Sequence, residues 1–138
     1  MAAHITPQDA EEICKRYIAA VEAGDLSAID TLFTQDAIVR TPVSGHKPAR
    51  AFYAYVFKAI SDRKMKLLDV LVGIAAPSRV ALHMAYTRTV IGSPPATIET
   101  IDIFELTDRF DQISAVNIVY DTAPVRTDFE TPKAQIDG

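Results

Sequence analysis

The chain has 138 residues, 49% of them apolar and 23% charged, the size and balance of one globular domain that can bury a single core. A net charge of −4, from 18 acidic and 14 basic residues with no basic block, argues against nucleic acid and anionic membrane surfaces as partners. The one cysteine, Cys14, excludes an internal disulfide and a cysteine-based zinc site, and it fits a reducing, cytoplasmic setting.

The first residues contain no basic stretch followed by an apolar run, so no signal peptide is expected. No window approaches the about 18 apolar residues of a membrane span. Thr6-Pro7-Gln8-Asp9 reads as a helix start, with a capping threonine, proline at the first position and an early acid. Ile13, Tyr17 and Val21 then recur at helical spacing, widened by Cys14 and Ile18, until Gly24. Asp25 caps a second short helix over 26–33, and the β-branched alternation of 36–41 reads as a strand stopped by Pro42.

Residues 44–48 read as a loop, and 49–60 as a third helix with Phe52, Tyr53, Val56, Phe57 and Ile60 on one side. Beyond it the period falls to two. Strands are expected over 65–76, 79–91, 96–106 and 112–121, divided by turn signals at 77–78, 92–95 and 107–111. The stretch 122–138, with two prolines and mixed charge, is expected to be a poorly ordered tail on a single domain spanning 1–121. Helices followed by strands in succession predict an α+β fold: a strongly curved antiparallel sheet wrapped, cone-like, around three N-terminal helices with an apolar pocket at its open end.

Several runs carry a resemblance. Residues 16–26, ending in Ala23-Gly24-Asp25, resemble the first helix of bacterial ketosteroid isomerases, and 32–39 followed by Pro42-Val43 resemble the next segment. Residues 50–54 look like that family's third helix, and Ile101-Asp102-Ile103-Phe104 like its central strand. The likeness covers roughly 9–121. It identifies the chain as a member of the nuclear-transport-factor-2-like superfamily, which includes the SnoaL-like polyketide cyclases and limonene epoxide hydrolases. Tyr17, Tyr53 and the Ile-Asp-Ile-Phe strand point to the isomerase branch.

The resemblance implies an oxyanion hole. Tyr17 matches a tyrosine that donates a hydrogen bond to a carbonyl oxygen as it becomes an enolate, a role suited to a strong neutral donor. Asp102 matches an aspartic acid kept protonated by an apolar site, and here it stands between Ile101 and Ile103. A buried pair with Arg88 is the alternative. Tyr53 matches a tyrosine that bonds the catalytic one, or packs in the core.

The family places its proton-transferring aspartate just before the proline, where this chain has Thr41, and a threonine hydroxyl is far too weak a base to replace it. His83 is the candidate substitute, on a strand face shared with the small Ala81, Ala85 and Thr87; its alternative is a structural histidine. On the last strand Val116, Ile118 and Tyr120 share a face. Val116 and Tyr120 are candidate pocket residues, with Asp121 as a reserve base.

His4, His46 and His83 are scattered, so no metal cluster is expected, nor is there a phosphate loop or serine elbow. The expected chemistry needs no cofactor. It is an isomerase-like reaction on a small hydrophobic ketone, steroid-like or aromatic. A lyase, cyclase or dehydratase on the same scaffold, or a non-catalytic binding domain, is the alternative, and epoxide hydrolysis is a third. A homodimer through the outer sheet face follows from the resemblance and from strands that are apolar on both faces.

Overall fold

The structure, a computed structural model, describes residues 4–124. Most of the expected tail, 125–138, lies outside the described residues. The elements are α1 (Pro7–Ala23), α2 (Leu26–Leu32), β1 (Phe33–Thr41), β2 (Gly45–Pro48), α3 (Ala49–Ala59), β3 (Ile60–Val72), β4 (Arg79–Val90), β5 (Ala96–Leu106) and β6 (Ile113–Val119).

Local chemistry sets the helix ends. Thr6 Oγ1 accepts from the Asp9 N–H at 3.1 Å, and Pro7 occupies the first helical position, where a missing N–H costs nothing. Gly24, at φ 65°, takes the left-handed conformation and returns its N–H to the Ala20 and Val21 carbonyls. Asp25 then caps α2 by accepting from Ala28 N–H at 3.2 Å.

The six strands form one curved, unclosed sheet in the order β2-β1-β6-β5-β4-β3. Neighbours pair antiparallel except β1 with β6, which run parallel. The fold class is the one the periodicities predict, and three details differ. The strand expected over 65–76 is β3, which starts directly after α3 at Ile60 and ends at Val72. The residues read as a loop at 44–48 form β2, an exposed edge strand whose Pro48 is tolerated because it donates to no further strand. The parallel pair joins chain segments far apart in sequence, so no turn signal announces it.

Helices α1 and α3 bury their apolar stripes on the concave face, and the core is aromatic where they meet the sheet. Tyr17 lies 4.9 Å from Phe104 between ring centroids and 6.0 Å from Tyr53, which itself lies 5.5 Å from Phe33. On β4 the alternation Val80, Leu82, Met84 is buried and points inward, and Phe104 and Asp102 do the same on β5. No helix among the described residues is long and apolar enough to cross a membrane.

Candidate active site

Between the helices and the concave face lies a narrow cavity of about 80 Å3, within about 680 Å3 of open space that reaches solvent. Val21, Phe52, Val56, Met65, Met84 and Ile118 make its lining largely apolar. An apolar cavity of about 150 Å3 holds one benzene ring, so a flat ligand enters this slot only as side chains at its opening give way.

Four polar side chains gather at one end. Tyr17 comes from the inward stripe of α1 and Tyr53 from α3, and both are almost fully buried. Their hydroxyls bond each other at 2.7 Å. Burial pushes both phenols well above their ordinary range, so they stay protonated and act as donors. When Tyr53 donates to Tyr17, the Tyr17 proton is left to point elsewhere. Asp102 and Thr100 join them from β5, two residues apart and hence on one face.

Asp102 stands opposite Leu82 on β4 and Ile118 on β6 and is 1% exposed. Burial pushes its carboxyl up to about 7, with the hydroxyls of Tyr17 and Thr100 pulling the other way. Asp102 Oδ1 and Thr100 Oγ1 are both buried without a hydrogen-bond partner among the described residues. Buried polar atoms left in this condition are rare, and in the wall of a cavity they are ready to receive a ligand. Among the described residues no ion pair joins Asp102 to Arg88, although both act on Tyr86 and Tyr120. Arg88 lies six residues beyond Leu82 along β4, and the groups acting on the Asp102 carboxyl do not include it.

The remaining candidates divide. Thr41, at the end of β1, lines the cavity, and its hydroxyl accepts from the Ser44 N–H at 2.8 Å to close the turn into β2. Tyr120 lies just past β6 and lines the cavity too. Val116 does not. It is buried opposite Phe104 in the core and belongs to the packing beneath the site.

His83 needs the larger correction. It is absent from the lining and pairs with Glu99 at 3.4 Å, a residue itself well exposed. A strand's faces alternate strictly, and on β4 the buried face is the one carrying Val80, Leu82 and Met84. The face of small residues with His83 is the convex one. The same alternation brings in Tyr86 and Arg88, which were overlooked as lining residues although the Val80-Leu82-Met84 pattern points to them. Asp121 lies beyond the end of β6 and outside the lining.

Comparison with known proteins agrees with this architecture. The family model for the SnoaL-like domain matches residues 14–116. Among solved structures, PrhC from Penicillium brasilianum superposes with a TM-score of 0.77 at 17% identity, over 93% of this chain and 90% of that one. A Catenulispora acidiphila protein with a ketosteroid isomerase-like fold, in complex with trimethylamine, gives 0.73 at 17% identity over 90% and 93%. A putative SnoaL-like polyketide cyclase from Shewanella denitrificans gives 0.71 at 10% identity over 91% and 99%. At these identities the likeness is one of fold.

Proposed function

The chain belongs to the SnoaL-like domain family, and we propose that it performs cofactor-free proton transfer on a slim hydrophobic carbonyl compound, with the enolate oxygen held by Tyr17. The observation that carries this reading is the meeting, in one apolar cavity, of a braced tyrosine hydroxyl with the buried, unpartnered Asp102 Oδ1 and Thr100 Oγ1.

The roles follow from position. Tyr17, oriented by Tyr53, donates to the carbonyl oxygen and strengthens that bond as negative charge develops there. Thr41 offers only a hydroxyl already engaged by Ser44, and His83 faces the other side of the sheet. Among the described residues Asp102 is the one carboxylate or imidazole in the lining. A carboxyl pushed up to about 7 exists in both forms near neutrality, which matches a group that removes a proton from carbon and returns it to another. The carboxylate takes the C–H proton, the electron pair moves onto oxygen as the enolate, and the carboxylic acid re-protonates carbon as the carbonyl re-forms. Isomerisation of a β,γ-unsaturated ketone is the simplest net result. Aldol-type cyclisation or cleavage uses the same enolate.

A continuous ultraviolet assay for conjugated enone formed from a β,γ-unsaturated cyclic ketone tests the reading. Tyr17→Phe should lower kcat by about 10²- to 10³-fold, the value of one oxyanion donor. A loss below tenfold would remove Tyr17 from the role. The engagement of Thr41 also supports a second reading, a binding pocket without turnover. In that case the wild type binds 4-phenylphenol saturably, Tyr17→Phe weakens the binding, and no enone forms.

We also propose a homodimer through the convex sheet face. Ile101 and Val119 are ladder partners on β5 and β6 and are 39% and 45% exposed there, an apolar patch that a second copy would cover.

A further inference from the structure

The proton transfer leaves one tyrosine of the cavity wall unused. Tyr86 stands on the inward face of β4 with Leu82 and Met84, between Met65 on β3 and Ile98 on β5, and it lines the cavity. Its hydroxyl is buried and makes no hydrogen bond among the described residues. A buried donor in that state carries its full desolvation cost, and an oxygen brought by a ligand would relieve it.

The surroundings fix what Tyr86 can offer. Burial holds the phenol above its ordinary range; Arg63 and Arg88 pull the other way, while Asp102 and Tyr120 add to the rise. The phenol therefore stays protonated and presents one O–H donor. Set among Met65, Met84 and Ile98, one neutral donor matches one neutral acceptor, such as a carbonyl or ether oxygen.

The order of polar groups along the wall is Asp102, Thr100, Tyr86. Thr100 lies two residues from Asp102 on β5 and opposite Met84, and Tyr86 lies two residues beyond Met84 on β4. Four residues, about 13 Å of strand, separate Tyr86 from Leu82, the ladder partner of Asp102. A ligand whose carbonyl sits at Tyr17 and Asp102 reaches Tyr86 by extending along the strands, with its apolar body against Met84, Ile98 and Ile118.

Resting on the carbonyl-site reading above, we propose that the ligand is oxygenated at two places: a slim carbonyl compound carrying a second carbonyl or ether oxygen that accepts a hydrogen bond from Tyr86. Tyr86 is then a specificity-determining residue. Among ketones of one shape it selects those with the second oxygen, because only they give the buried hydroxyl its acceptor.

The test uses two pairs of phenols, since the phenol end stands in for an enol. One pair is 4-(4-acetylphenyl)phenol and 4-(4-isopropylphenyl)phenol; the other is 6-acetyl-2-naphthol and 6-isopropyl-2-naphthol. Within each pair the far group keeps its size and gains or loses the acceptor, and the two frames sample two spacings. Dissociation constants come from isothermal titration calorimetry at neutral pH. In at least one frame the preference for acetyl over isopropyl should be at least about fivefold greater in the wild type than in Tyr86→Phe, the value of one hydrogen bond. A smaller difference in both frames overturns the proposal. Tyr86→Phe should also melt no lower than the wild type, because the hydroxyl it removes makes no hydrogen bond among the described residues. A fall of more than about 4 °C, or failure to fold, would show that hydroxyl already engaged in the protein and overturns the proposal as well. Failure of the underlying site looks different: the isopropyl phenols, which lack the second acceptor, would then bind Tyr17→Phe and the wild type alike, whatever happens at Tyr86.

Discussion

Replacing Asp102 with asparagine should make the protein more stable, and by an amount that depends on pH. The carboxyl has an ordinary value of 3.8, which burial raises to about 7 in the folded protein. Below about pH 4 both folded and unfolded chains hold the proton, and ionisation contributes no difference. Between about 4 and 7 the unfolded chain has lost the proton while the folded one retains it, so stability falls by about 1.4 kcal/mol for each pH unit. Above about 7 the folded chain ionises too and the loss levels off. The gap of about three units gives a total near 4 kcal/mol, a large share of the roughly 5–15 kcal/mol that holds a domain together.

Asparagine keeps the shape and removes the titration. Urea unfolding of the wild type and the Asp102→Asn variant across pH 4 to 9 isolates this one group, because every other titration is common to both proteins. The variant's advantage should grow from near its smallest value at pH 4 to about 4 kcal/mol at pH 8, equivalent to a melting-point difference of about 10 °C. Whatever constant offset the new amide adds, only the pH dependence is diagnostic. A difference that stays flat across the range would mean the carboxyl titrates alike in both states, and the argument from burial would be refuted.

Two further predictions follow from which face of the sheet a residue occupies. His83→Ala should leave the dissociation constant of 4-phenylphenol within twofold of the wild type, since His83 pairs with Glu99 on the convex face; a tenfold change measured by fluorescence titration would return it to the site. Ile101→Lys places a charge in the exposed patch shared with Val119 and should convert a dimer to monomers in analytical ultracentrifugation. A monomeric wild type, or a variant that remains dimeric, would move the interface elsewhere.

The fold could be read from local signals because each acts over a few residues. Thr6, Pro7, Gly24 and Asp25 mark helix ends through bonds made within four positions, and the change from period 3.6 to period 2 after α3 separates helices from strands. Tyr17, Tyr53, Thr41, Asp102 and Tyr120 were legible as candidates through their place in recognisable segments, and all five line one cavity. His83 and Val116 fall outside the cavity lining for different reasons. His83 was assigned inward because its neighbours are small, and Val116 because it shares a face with Ile118. A slip of one residue in a strand moves a side chain to the opposite face, and residues on the correct face can still lie below a cavity and not in its wall.

Composition, caps and periodicity in this chain therefore determine the helices, the strands other than β2, their order and the α+β class, because those depend on short-range backbone bonding and on the need to bury one stripe or face. The tertiary structure alone decides that β1 pairs parallel with β6, that Asp102 and Thr100 present unpartnered oxygens to the space beside Tyr17, and that Tyr86 and Arg88 line that space too. Each of these depends on segments distant in the chain meeting across the concave face. Proximity of that kind is set by packing the whole core, which no single stretch of sequence encodes.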